Sequence, residues 1–163
     1  MKTIPEELVE ETWQEVSSFS SSQIRKGMTK VSRSQPYLTA FIMEFARDLD
    51  QEVTELAVHM FFVVYQMFQK SFEGRIKRIS AEKIIECYEQ NENLMQSMEG
   101  IHEKFFERIA RVQLSGQPYV LKYVVETLIE APEEEDPIEL TEEDVGFLFL
   151  LLKTVADVID KQK

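Results

Sequence analysis

The chain has 163 residues, 44% of them hydrophobic, with five Gly and five Pro, enough apolar material for one packed core and too little Gly and Pro for a disordered or collagen-like polymer. Its formal net charge of -12 repels phosphate backbones and anionic lipid, which argues against nucleic acid or a membrane surface as a partner of the whole molecule. The longest apolar runs, FFVVY at 61–65 and VGFLFLLL at 145–152, fall well short of the roughly 20 residues a membrane-crossing helix needs.

Residues 1–82 carry 10 basic and 12 acidic side chains and residues 83–163 carry 8 and 18, so the second half holds nearly all of the excess. The opening stretch MKTIPEELVEETWQEV has acids where a signal peptide has an apolar segment, and the single Cys87 can form no internal disulfide. A cytoplasmic location is the expectation.

Glu, Lys, Gln, Leu and Met are abundant, and these side chains lose little freedom in a helix. Thr3 with Glu6 makes a capping-box pattern and Pro5 suits the first turn, which predicts a helix from about Ile4 to Ser18. The serine-rich residues 17–22 read as a turn, followed by a helix from about Gln23 to Ser32. SQPYLTAFIMEF at 34–45 opens a third, with Ser34 suited to the N-cap, Pro36 tolerated in the first turn and Tyr37, like Tyr119 later in the chain, expected to pack between helices. A fourth follows an Asp50 cap. It is apolar almost all round, with Glu52, Glu55, His59, Gln66, Gln69 and Glu73 on a narrow stripe, and such a helix is buried almost all round. Ser80 caps a fifth.

The third-helix motif recurs 82 positions on: Gln35, Pro36 and Tyr37 return as Gln117, Pro118 and Tyr119, followed by Phe41/Tyr123, Ile42/Val124 and Glu44/Glu126. Downstream, residues 49–68 align with 140–159, where Thr141 and Asp144 mark a helix start; upstream, Ile24, Met28 and Val31 match Phe105, Ile109 and Val112. The order never scrambles. The expected architecture is therefore all-α, one domain of about eight helices in two tandem four-helix repeats, about 1–78 and 79–163, forming a compact bundle or a short α-solenoid. The two apolar fourth helices are expected at its centre. In the second, Gly146, Lys153, Asp157 and Asp160 make the polar stripe, and APEEEDPIELTEED at 131–144 contains an insert read as an exposed loop.

Candidates for chemistry are few. His59 has Glu55 one turn before it, and Glu99 precedes His102 by three, which is half of a di-iron carboxylate pattern without its other half. Cys87 lies among carboxylates that raise a thiol pKa, so it is not read as a nucleophile. Gly-rich phosphate loops, a Gly-x-Ser-x-Gly elbow, His-Glu-x-x-His and Cys pairs are absent from the sequence. No catalytic residue, metal ligand or cofactor is assigned.

Two surface features remain. Phe62 falls on the polar stripe of the fourth helix, where it is either buried under a neighbouring helix or part of a partner surface. Arg25, Lys26, Lys30 and Arg33, with Arg75, Lys77 and Arg78, form two basic runs that could make one face for an acidic partner. The expectation is a non-enzymatic, cytoplasmic protein-interaction or scaffold protein whose partner is another protein or a second copy of itself. The alternative is a small-molecule or metal-binding helical protein with a pocket between the repeats near His59.

Overall fold

The computed structural model describes residues 2–72, 75–96, 116–131 and 137–162. Seven helices lie among them: α1 (Glu6–Ser17), α2 (Ser21–Ser34), α3 (Pro36–Ala46), α4 (Gln51–Ser71), α5 (Ala81–Gln96), α6 (Pro118–Glu130) and α7 (Glu142–Asp160). The described residues contain no strand.

Helix starts follow local chemistry in three places. The Ser20 hydroxyl accepts from the Gln23 N–H (3.2 Å) while Gln23 Oε1 accepts from the Ser20 N–H (2.7 Å), a capping box that starts α2 two residues earlier than the serine run predicts. Thr141 and Asp144 do the same for α7 at 3.0 and 3.1 Å, and the Ser80 hydroxyl accepts from Lys83 N–H (3.3 Å) ahead of α5. Thr3 and Ser34, expected as caps, serve otherwise. Pro5 is the N-cap residue of α1, and Ser34 ends α2 with its hydroxyl on the carbonyls of Lys30 and Val31, each 3.2 Å away.

The residues that open α3 and α6 are Gln35 and Gln117. Neither side chain caps its own helix. Gln35 Nε2 donates to the carbonyls of Ile76 (3.3 Å) and Lys77 (2.8 Å), and its Oε1 accepts from Ile79 N–H (3.0 Å). Gln117 Nε2 donates to the Lys2 carbonyl (3.0 Å) and Asp160 Oδ1 (2.9 Å), and its Oε1 accepts from Ile4 N–H (2.9 Å). Each buried amide thus satisfies the backbone of an extended segment leading into another helix, α5 for Gln35 and α1 for Gln117. The neighbouring Tyr37 and Tyr119, expected between helices, are 49% and 36% exposed.

α4 packs against α7 at the centre of the molecule. Phe61, Phe62, Phe68 and Phe149 are among the largest fully buried side chains, each contributing about 2–3 kcal/mol by leaving water. Phe41 and Phe45 of α3 meet Tyr88 of α5 edge to face, with ring centroids 5.7 and 4.8 Å away. Lys153, expected on the polar stripe of α7, is instead 5% exposed, because Asn91 of α5 reaches across to it.

Two tandem four-helix repeats are not what this chain forms. Among the described residues there are seven helices, and their long-range packing is irregular: α1 packs on α6 as well as α4, α3 on α5 and α7 as well as α4, and the α5–α7 interface is the most extensive. The described helices of residues 1–78 and those of residues 79–163 therefore pack among one another rather than standing as separate stacked units. Periodicity marks the apolar side of each helix, and that side is covered here by helices from both ends of the chain.

Candidate functional site

Along α1, Glu6, Val9, Glu10, Trp13 and Ser17 recur at three- and four-residue spacing and so share one face; along α6, Tyr119, Lys122, Tyr123, Glu126 and Glu130 do likewise. These two faces border a groove of about 500 Å³, lined from α4 by Leu56 and His59 and closed at one end by Ala131 and Ile138. The N–H of Ile138 donates to the Ala131 carbonyl (3.2 Å), which fixes that end. A second hollow of about 490 Å³ shares Leu56, His59 and Ile138 and adds Glu52, Glu55 and Pro137, continuing the groove along α4.

The rim is acidic. Lys122 Nζ lies 3.1 Å from Glu6 Oε1 and 4.0 Å from Glu126 Oε1, and the Glu6 hydrogen bond, followed by the charges of Glu6, Glu126 and Glu10, holds the ammonium above its usual range. Against this one cation stand Glu6, Glu10, Glu126 and Glu130. Trp13 Nε1 donates to Glu10 Oε2 (3.2 Å), leaving an indole 36% exposed at the edge. Burial lowers the His59 pKa, so the imidazole is neutral at neutral pH and does not offset the acids. Burial also pushes the Tyr123 hydroxyl far above its ordinary value, only partly opposed by its hydrogen bond with Thr127. An acidic rim over aromatic walls attracts a cation carried on an apolar frame.

The sequence-nominated residues are scattered. Phe62 is 2% exposed, buried under α2, where a Cβ on Gly27 would fall 2.5 Å from its ring. Arg25, Lys26, Lys30 and Arg33 are exposed on α2, and Arg75, Lys77 and Arg78 are exposed on the segment leading to α5. Arg78 Nη2 donates to the Arg33 carbonyl (3.4 Å), which joins the two runs at one point. Lys77 faces a different recess, beside Lys83, Cys87 and Lys161.

Glu99 and His102 lie outside the described residues. Among the described ones, no three His, Cys, Asp or Glu side chains are grouped as metal ligands. Burial, then the charge of Asp157, raises the Cys87 thiol to about 11 despite Lys161 and Lys153, leaving it protonated and a poor nucleophile.

Sequence reasoning named His59 and Glu55, read Tyr119 as packing between helices and Tyr123 only as the counterpart of Phe41, and passed over Trp13. A signal was available: Trp13 is the sole tryptophan, and it continues the Glu6, Val9 spacing on a helix rich in acids. What could not be read was that α6 lies beside α1.

These features define a compact all-α domain with a charged, aromatic groove, and among the described residues no helix is long and apolar enough to cross a membrane. Comparison with known proteins finds no family model that matches the chain and no similar curated protein or solved structure.

Proposed function

We propose that the protein is a non-enzymatic cytoplasmic interaction module that binds a basic, amphipathic segment of a partner protein in the groove between α1, α4 and α6. The observation that carries this reading is the placement of four carboxylates around exposed Trp13 and Tyr119 with a single lysine among them. Aromatic side chains give contact area at low entropic cost, and carboxylates select lysine and arginine by charge. The buried, protonated thiol of Cys87 suits a reducing compartment.

Trp13 reports on this site directly, being the sole tryptophan. A peptide of alternating Lys and Leu should shift its emission saturably, and added salt should weaken the effect. Reversing Glu126 and Glu130 to Lys should reduce affinity at least about tenfold, by loss of charge complementarity. No shift, or an equal shift with an acidic peptide and with the reversed variant, would refute the proposal.

A second reading, a small organic cation as ligand, is favoured by the volume of about 500 Å³, which lies within the range of small-molecule pockets. Saturable perturbation of Trp13 emission by micromolar tetramethylammonium, with none from the peptide, would select it.

A further inference from the structure

Further along the same stripe of α4 lies a groove of the opposite charge. Lys26 and Lys30 of α2 face Gln66 and Gln69 of α4 across a hollow of about 700 Å³, with partly buried Phe19 at its edge and the buried Phe62, Tyr65 and Val31 beneath. We propose that this groove is a second, independent docking site, for an acidic amphipathic segment of a partner protein.

Four observations support that occupant. First, Lys26 and Lys30 stand one helical turn apart, exposed, and no ion pair joins either to another described residue. α2 contains no acid at all, and Gln23, Thr29 and Ser34 bond its own backbone: Gln23 closes the capping box, and Thr29 and Ser34 bond the preceding turn. Unpaired cations one turn apart match carboxylates one turn apart on a facing segment.

Second, partly buried Phe19 gives the hollow an accessible apolar element beside the lysines. A phosphate chain or free phosphate would leave Phe19 unused, whereas a segment carrying apolar side chains between its acids would cover it. The overall charge of -12 also opposes a polyphosphate, while a short acidic segment meets only the local lysines.

Third, the side-chain amides of Gln66 and Gln69 form no hydrogen bond with another described residue, and both line the hollow. Amides so placed can bond the backbone of an incoming peptide. Fourth, the site has a defined end: Lys70 pairs with Glu15 of α1 there, which consumes that ammonium and leaves Lys26 and Lys30 as the recognition charges.

α4 is thus a shared wall. His59 borders the acidic groove, and Phe62 and Gln66, one and two turns on, border the basic one. A protein with both sites can hold a basic and an acidic segment at once, which is the geometry of a bridge.

The test uses the full chain and a fluorescein-labelled peptide with Glu at every fourth position and Leu between, followed by anisotropy at low and at physiological salt. Lys26→Glu with Lys30→Glu should weaken binding at least tenfold, and Gln66→Glu, on the opposite wall, should weaken it as well. Glu126→Lys in the other groove should leave it unchanged, and Trp13 emission should not move, so this site can fail without the acidic groove failing. Circular dichroism melts of each variant show that the bundle is intact.

Binding indifferent to the lysine reversals would overturn the proposal. So would equal affinity for a peptide with every Leu replaced by Ser, or displacement by a single-stranded oligonucleotide at equal charge concentration. Sedimentation showing that the reversals abolish a dimer of this chain, with the peptide unbound, would assign the groove to a second copy and overturn it too.

Discussion

Lys153 Nζ lies 2.6 Å from Asp157 Oδ2, one turn apart on α7, and Asn91 of α5 bonds both, accepting from the ammonium at 2.8 Å and donating to the carboxylate at 3.2 Å. The same Asn91 amide donates to Thr154 Oγ1 (3.2 Å), whose hydroxyl donates to the Leu150 carbonyl (2.8 Å). A polar network therefore crosses the α5–α7 interface inside an apolar surround. Asp157→Ala should cost about 2–3 kcal/mol in denaturant unfolding, the lower end because the carboxylate is partly solvated, since a buried ammonium loses its counter-charge. Lys153→Met combined with Asp157→Leu should recover most of that. A double variant no better than the single one would show that the pair is not coupled.

Gln35 satisfies three backbone groups of the segment before α5, and Gln117 two of the segment before α1 together with the Asp160 carboxylate. Truncating either to Ala strands buried backbone groups, at about 2 kcal/mol. The readout that separates this from general loosening is amide exchange. Gln35→Ala should accelerate Ile79 and spare Ile4, and Gln117→Ala should do the reverse.

Gly27 lets α2 approach Phe62. A Cβ there would lie 2.5 Å from Phe62 Cζ and 2.6 Å from Cε1, closer than atoms can stand, and the 2% exposed ring has little room to withdraw. Gly27→Ala gains helix propensity yet should still lower stability by about 1–2 kcal/mol through overpacking. Adding Phe62→Leu should relieve the clash. A stabilised Gly27→Ala protein would show that the ring yields freely.

His59 should make stability fall on the acid side. Its folded pKa is lowered from 6.5 by burial, so the unfolded chain takes up a proton first as the pH drops. The stabilisation is complete above about 6.5 and is lost as the pH falls through the lower folded value. Melting temperatures between pH 7.5 and 5 should drop less for His59→Gln than for the native chain, the carboxylates being common to both. Parallel curves would contradict this.

Much of the secondary structure could be read from residues a turn apart. The Thr141–Asp144 and Ser80 starts and the proline-led openings of α3 and α6 rest on local hydrogen bonds and on proline's missing N–H, and the near-continuous apolar surface of α4 and α7 required burial whatever covered them. The Ser20–Gln23 box was equally local; it was masked by the serines around it, which compete for the same backbone groups. Of the groove, only His59 and its acidic neighbours stood out in advance.

Neighbourhood was not legible in this way. An apolar helix face records that something covers it but carries no name for the cover, so eight helices in two stacked units and the packing of the described helices among one another fit the same periodicity. Polar residues made the difference clearest. Lys153 looked solvent-facing until Asn91, 62 positions away, supplied its acceptor, and Gln117 looked like a helix-start residue until Ile4 and Lys2 arrived from the other end of the chain. The alternation of apolar and polar residues settled that this chain is helical and which two helices lie inside. The meeting of α1 with α6, and of α2 with α4, settled where its charged grooves fall, because a groove is a property of two surfaces and each helix encodes only its own.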